Sequence, residues 1–95
     1  MAICVDFLVL QYPKSKQVAR CGNLWCHLFE DAGDVEALHE FAIAIGLKKK
    51  YFQSHRFLPH YDLTPTLRAR ALKAGAIEKS SAEIVRKARL ENRNA

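Results

Sequence analysis

Hydrophobic positions follow two rhythms along this chain. Ile3 to Leu10 is a nearly continuous run of β-branched, aromatic and aliphatic residues, which predicts a buried strand. Asp6 interrupts it, and an acid inside a buried strand is costly unless it is paired or serves a site. Leu24 to Phe29 predicts a second strand. Leu24, Cys26 and Leu28 share one face, and Trp25, His27 and Phe29 share the other. The rhythm then becomes helical: Val35, Leu38, Ala42 and Ile45 recur on one stripe with Phe41 beside them. Asp34 is placed to cap this helix and Gly46 to end it. Phe57 to Leu63 reads as extended. Pro65 to Ala74 reads as a short basic helix, with Thr64 as its cap and Pro65 at its first position. Leu67, Ala71 and Ala74 would face inward and Arg68 and Arg70 outward, and Gly75 stops it. Ile77-Glu78-Lys79 suits a short last strand. Ser80-Ser81-Ala82-Glu83 forms a capping box for a final helix packed through Ile84, Val85 and Ala88. The polar tail from Glu91 is expected to fray. Gln11 to Asn23, with Pro13 and Gly22, reads as a long loop of the kind that carries function.

This order predicts one α/β domain over residues 1–95. It would be a small single-layer sheet of three to four strands, mostly parallel, packed by about three helices. In such sheets ligands lie beyond the carboxyl ends of the strands. The end of the second strand (His27, Asp31) and the end of the third (His60, Asp62) would then meet on one edge.

Composition narrows the classes. Ninety-five residues suffice for one domain, and 49% hydrophobic with 26% charged residues is ordinary for a globular chain. No apolar run approaches the roughly 18 residues of a spanning helix, and the start lacks a basic, signal-like segment. Cys4, Cys21 and Cys26 are odd in number and lack framework spacing, which suits reduced thiols in a cytoplasm. The net charge is +5, and its placement says more than its size. Leu24 to Leu47 holds no Lys or Arg, while Lys14, Lys16 and Arg20 precede it and Lys48, Lys49, Lys50 and Arg56 follow it. Two basic loops flank an acidic segment. They are either solvated surface or a rim for phosphate.

The densest chemistry lies in Arg56-Phe57-Leu58-Pro59-His60-Tyr61-Asp62-Leu63-Thr64-Pro65. Pro59 favours an extended backbone before it. Side chains two apart on an extended segment point the same way, so His60 and Asp62 share a side just ahead of a helix N-terminus. A His beside a carboxylate can be fixed in one tautomer and poised for proton transfer near neutral pH.

Several further stretches form a pattern together: Val5-Asp6, Leu24-Trp25-Cys26-His27-Leu28 with Asp31, and Glu36-Ala37-Leu38-His39-Glu40-Phe41-Ala42. Tyr51-Phe52-Gln53, His60-Tyr61-Asp62 and Arg70-Ala71-Leu72-Lys73-Ala74-Gly75-Ala76 complete it. Together they resemble the small bacterial and phage family catalogued as domain of unknown function 4031. The resemblance runs from Ile3 to about Arg89. It implies that Asp6, His27, His39, His60 and Asp62 belong to the family's signature, and it brings no settled activity. Cys21 and the Lys48-Lys49-Lys50 run depart from the pattern.

The expected site is a polar pocket with His60, Asp62 and His27 as its catalytic set. Asp6, His39, Arg20, Lys50, Tyr61 and Arg68 are the expected ligand-binding residues. The same imidazoles and carboxylates suit a metal, but no His-x-x-x-His or His-Glu-x-x-His spacing occurs, so no metal ligand is assigned and the cofactor is left open. Cys21, Cys26 and His27 with His60 are too loosely spaced for a zinc motif. No nucleophile stands out, and Ser80 and Ser81 are accounted for as helix caps. The expected partner is a phosphorylated small molecule such as a nucleotide, which is bound and, as a further step, hydrolysed. The alternative is a non-enzymatic nucleic-acid-binding or protein-interaction module, with Tyr51 and Phe52 as stacking groups. Whether the protein is an enzyme stays open, and no membrane role is expected.

Overall fold

The computed structural model of the chain describes residues 2–10 and 24–93. Its hub is a strand at Leu24–Glu30, the third among the described residues and here β3. Before it come β1 (Ile3–Val5) and β2 (Val9–Leu10); after it come β4 (Tyr61–Leu63) and β5 (Ile77–Glu78). The helices among the described residues are α1 (Val35–Ala44), α2 (Pro65–Lys73) and α3 (Ser81–Arg93), with a 3-10 turn at Lys49–Tyr51.

The sheet is mixed rather than mostly parallel. β3 pairs antiparallel with β1, β2 and β4, and the parallel pair among the described strands is β1 with β5. Leu28 lies between Val5 on one side and Tyr61 on the other. The expectation of parallel strands rested on the helix between β3 and β4. A helix alone would return the chain to the start of β3. Here the irregular stretch 46–60 follows the helix and carries the chain back to the end where β3 finishes. β4 therefore enters from that end and runs antiparallel.

The predicted first strand is broken in two. Val5 opposes Leu28, but Val9 opposes Trp25, so Asp6, Phe7 and Leu8 face only Cys26 and His27. One extra residue on one strand is a β-bulge, a feature that bends the strand and re-aims a side chain. Asp6 sits at its start.

Alternation along the strands gives the sheet two faces. Val5, Cys26, Leu28, Tyr61 and Leu63 form the larger core with Leu38, Ala42 and Ile45 of α1 and with Ala71 and Leu67 of α2. Cys4 and Phe29 point the other way, where Leu58 covers them with Ile84 and Val85 of α3. The sheet is thus sandwiched, with α1 and α2 on one face and α3 on the other. Leu28, Leu38, Leu63, Phe29 and Tyr61 are fully buried, and truncating a buried leucine to alanine costs about 2–5 kcal/mol.

The helix ends follow the sequence closely. The Asp34 carboxylate accepts from Ala37 N–H at 3.1 Å, and the Thr64 hydroxyl accepts from Leu67 N–H at 3.3 Å. Gly46 ends α1 with φ of 101°, and a Cβ there would also lie 3.1 Å from the Arg70 guanidinium. That guanidinium donates to the Ile45 carbonyl at 2.9 Å, closing the helix end. Ala74, expected to face inward, is exposed. α3 runs through Arg93, past the expected fraying point at Glu91. The expected loop over 11–23, with Lys14, Lys16, Arg20 and Cys21, lies outside the described residues.

Candidate functional site

Cross-strand pairing builds the site. In the β3–β4 ladder His27 is the direct partner of Asp62. Partners share a face, so both lie on the side opposite the larger core, the side that α3 covers further along β3. His60 precedes Asp62 by two residues and joins them. Its ring meets that of His27 edge to face, with centroids 4.6 Å apart. An isolated bridge between Gln53 and His60 extends the β4 pairing by both backbone hydrogen bonds, 2.8 and 3.0 Å. The Gln53 amide then donates to Asp62 Oδ2 at 2.5 Å.

The bulge aims Asp6 at the same place. Its Oδ1 accepts the His27 backbone N–H at 2.5 Å, and its Oδ2 lies 2.6 Å from His27 Nδ1. The Ser81 hydroxyl, on the first turn of α3, donates to the same Oδ2 at 2.7 Å. Burial alone would raise the Asp6 pKa. The hydrogen bonds from the His27 ring, the His27 backbone and Ser81 outweigh it and hold the carboxyl below its ordinary range. A carboxylate only accepts, so His27 Nδ1 carries the proton and Nε2 is the free ring nitrogen.

His60 is oriented in the same manner by a different group. Its Nδ1 donates to the Leu58 carbonyl at 2.7 Å, leaving Nε2 3.5 Å from Asp62 Oδ1. Burial opposes a charge on this ring. The hydrogen bonds to Asp62 and to the Leu58 carbonyl, with the charges of Asp62 and Asp6, overcome that and raise its pKa. Asp62 is the mirror case: burial pushes it up, and the His60 and Gln53 hydrogen bonds bring it below the usual value. One ligand atom from each of His27, His60 and Asp62 fits within a mutual 4.8 Å. Their side chains are 30%, 10% and 35% exposed, so a small molecule can reach the cluster while the backbone behind it is packed.

The other expected site residues go elsewhere. His39 and Tyr61 belong to the opposite face: His39 is buried against Phe52, and its Nδ1 lies 2.7 Å from the Tyr61 hydroxyl. Alternation in β4 makes this unavoidable, because Tyr61 must point away from His60 and Asp62. The expected pocket joining His39 to the other four is therefore replaced by a cluster of Asp6, His27, His60 and Asp62. Asp31 does not meet His27. Its carboxylate accepts the Ala2 N–H at 2.8 Å and lies 3.4 Å from Lys79 Nζ. Arg68 does not stand free on the outside of α2. Its Nε donates to the Asp6 carbonyl at 3.0 Å and its Nη2 pairs with Glu78 at 2.6 Å, so it braces the bulge. Lys50 is exposed on the 3-10 turn, with its ammonium 5.3 Å from the Tyr51 ring centre. Arg20 lies outside the described residues.

Three contributors escaped the sequence reading. Ser81 serves Asp6, where a helix cap was expected. Gln53 anchors Asp62. His55 has its ring centre 6.3 Å from that of His60. Its Nδ1 accepts from the Phe57 and Leu58 N–H groups at 3.1 and 3.3 Å, which leaves Nε2–H as a donor. Its spacing from His60 was the available signal. Cys26 is buried in the larger core, on the face away from His27, and takes no part.

No curated protein and no solved structure matches the chain. A family pattern does, over residues 12–91, which takes in His27, His39, His60 and Asp62 but stops short of Asp6. The chain belongs to the family described as "Protein of unknown function (DUF4031)".

Proposed function

We propose that the protein binds a phosphorylated small molecule, such as a nucleotide, at the His27–His60–Asp62 cluster and hydrolyses it. The observation that carries this reading is the convergence of two imidazoles and one carboxylate, each held from behind, with His27 and Asp62 partly open to solvent. Hydrolysis needs an activated water beside the bound group and a source of positive field for the anion. His27, whose Nδ1 is held by Asp6, keeps its Nε2 for such a water, and His55 Nε2–H is a donor for a phosphoryl or leaving-group oxygen. Positive field comes from the segment just upstream. Lys48, Lys49 and Lys50 are exposed, and the chain from their turn leads directly to Gln53, which is bonded to both His60 and Asp62.

A second reading has one observation of its own. Tyr51 is 43% exposed beside Lys50, an arrangement suited to stacking a base of a single-stranded nucleic acid. Under either reading we place the protein in the cytoplasm, a location supported by the free, buried thiols of Cys4 and Cys26. No helix among the described residues is long and apolar enough to cross a membrane.

A panel of nucleoside mono-, di- and triphosphates against the matching nucleosides tests the main reading, with release of inorganic phosphate as the readout. The expected result is turnover, or at least binding, that requires the phosphate and disappears in His60→Ala. Equal binding of nucleoside and nucleotide, or none of either, rejects it.

A further inference from the structure

We propose that His27, His60 and Asp62 bind a divalent transition-metal ion, of which zinc is the best match, through His27 Nε2, His60 Nε2 and Asp62 Oδ1. The proposal identifies the water-activating group of the hydrolytic site above. It rests on that reading only for what the metal does, and not for whether it binds.

One ligand atom from each of His27, His60 and Asp62 lies within 4.8 Å of the other two, and His60 Nε2 to Asp62 Oδ1 is already 3.5 Å. Zinc bonds nitrogen and carboxylate oxygen at about 2.0–2.2 Å, so tetrahedral donors sit about 3.3 Å apart. Small side-chain rotations of His27 and Asp62, both partly exposed, close the difference.

A metal-bound histidine almost always gives its other ring N–H to a carboxylate or a backbone carbonyl, which fixes the tautomer and raises the basicity of the ligating nitrogen. Both forms occur here. Asp6 holds His27 Nδ1 and the Leu58 carbonyl holds His60 Nδ1. Asp62 has its outer oxygen engaged by Gln53 and its inner oxygen toward His60. The backing is itself supported, because Ser81 and the His27 backbone saturate Asp6 and Arg68 ties down its carbonyl. A cluster serving only to hold β3 to β4 has no need to back two adjacent imidazoles in this way.

Two imidazoles and a carboxylate suit zinc, iron(II), cobalt or manganese and are poor for magnesium and calcium, which prefer all-oxygen sites. Three protein donors leave at least one position for water, the pattern of a catalytic rather than a structural site. The charges also balance: Asp62 and the Asp6 carboxylate behind His27 together offset a divalent cation. With the ion bound, the open position would hold a water of lowered pKa beside the bound phosphoryl group.

The test uses the full chain, stripped with a chelator and dialysed, and titrated with zinc or cobalt alone. The expected result is one ion per chain, a rise in melting temperature, and a cobalt absorption spectrum of a low-coordinate nitrogen–oxygen site. His60→Gln and Asp62→Asn should each weaken binding at least tenfold. These variants keep hydrogen-bonding shape, so circular dichroism should remain that of the parent; if one unfolds, His27→Gln takes its place. Glu40→Gln, on the exposed side of α1, is the control and should bind as the parent does. No stoichiometric binding by the parent, or binding unchanged in the site variants, overturns the proposal. Because no phosphorylated compound is present, its failure is separate from that of the hydrolytic reading. A protein that binds zinc and ignores nucleotides keeps this inference and loses that reading; one that cleaves nucleotides in chelator and binds no zinc does the reverse.

Discussion

His27 and Asp62 stand directly opposite each other on neighbouring antiparallel strands, and each is fixed by a residue from a third place in the chain. Asp6, from the bulge between β1 and β2, holds the His27 ring; Gln53, from the connector after α1, holds Asp62. The site is therefore assembled from four separate stretches. Its rigidity should depend most on the partner that is most buried.

That partner is Asp6. Replacing it with alanine removes the acceptor for the His27 ring, the His27 backbone N–H and the Ser81 hydroxyl at once. The expected loss is about 2–4 kcal/mol, since buried donors left without partners cost about 1–3 kcal/mol each and partly regain water. Ser81→Ala removes one donor and should cost about 1 kcal/mol. Urea unfolding of both variants gives the comparison. A smaller loss for Asp6→Ala than for Ser81→Ala would contradict the role assigned to the bulge.

Tyr61 separates the two faces of the sheet. Tyr61→Phe strips a buried hydroxyl from His39 Nδ1 and should cost about 1–3 kcal/mol. It should leave zinc affinity and phosphate release within about twofold of the parent, because Tyr61 points away from His60 and Asp62. A large loss of activity in a variant that still folds would return His39 and Tyr61 to the site.

Local chemistry was legible in the sequence and long-range pairing was not. The caps at Asp34 and Thr64 and the stop at Gly46 depend on a few adjacent residues, and each stands where the residue types require. The same holds for the shared side of His60 and Asp62 and for the face of β3 that carries His27, because strand alternation is strictly local. The direction of β4 depends on how stretch 46–60 runs, and no periodicity records that. The bulge at Asp6 shows only as an acid in an apolar run, with nothing to say which way it turns. Ser81 looked like part of a cap because it lies inside the Ser80-x-x-Glu83 capping box; only the approach of α3 to the bulge gives its hydroxyl another partner. Arg68 looked free because its helix position is half-exposed, yet a long side chain reaches the Asp6 carbonyl.

The cysteines test the core from a different side. Burial, and then the charge of Asp6, pushes the Cys26 thiol up to about 12, and burial followed by Asp31 raises Cys4. Iodoacetamide at pH 8 should leave both unmodified in the folded protein and label both in urea, as read by peptide mass spectrometry. The shift also fixes the sign of the alkaline stability curve. Unfolded chains release the Cys26 proton near pH 9.0 and folded chains only near pH 12, so across that window the unfolded state binds fewer protons. Stability is complete below pH 9 and falls as pH rises. Cys26→Ala should be less stable at neutral pH but show a shallower decline between pH 9 and 12. An equal or steeper decline would mean that the thiol is not held neutral.

The last prediction concerns Lys48, Lys49 and Lys50, which are exposed and lie on the segment that leads to Gln53. If they supply field to a small phosphorylated ligand, changing all three to alanine should weaken nucleotide binding several-fold at low salt and far less at 0.5 M. The reason is that exposed charges act over a Debye length of about 10 Å at 0.1 M and much less at high salt. Zinc affinity should barely move, because the metal's donors are held by Asp6, Leu58 and Gln53. If the turn instead binds single-stranded nucleic acid, the logarithm of affinity for an oligonucleotide should fall with the logarithm of salt at a slope of about −0.7 per phosphate contacted. Three lysines engaged together would then give a parent slope near −2, which the triple variant should flatten toward zero, and Tyr51→Ala should weaken binding further by losing a stacked base. A mononucleotide that binds as tightly as an oligonucleotide, with Tyr51→Ala silent, assigns the basic turn to the small-ligand site. Oligonucleotide binding that keeps its full strength when His60 and Asp62 are replaced assigns it to a separate surface.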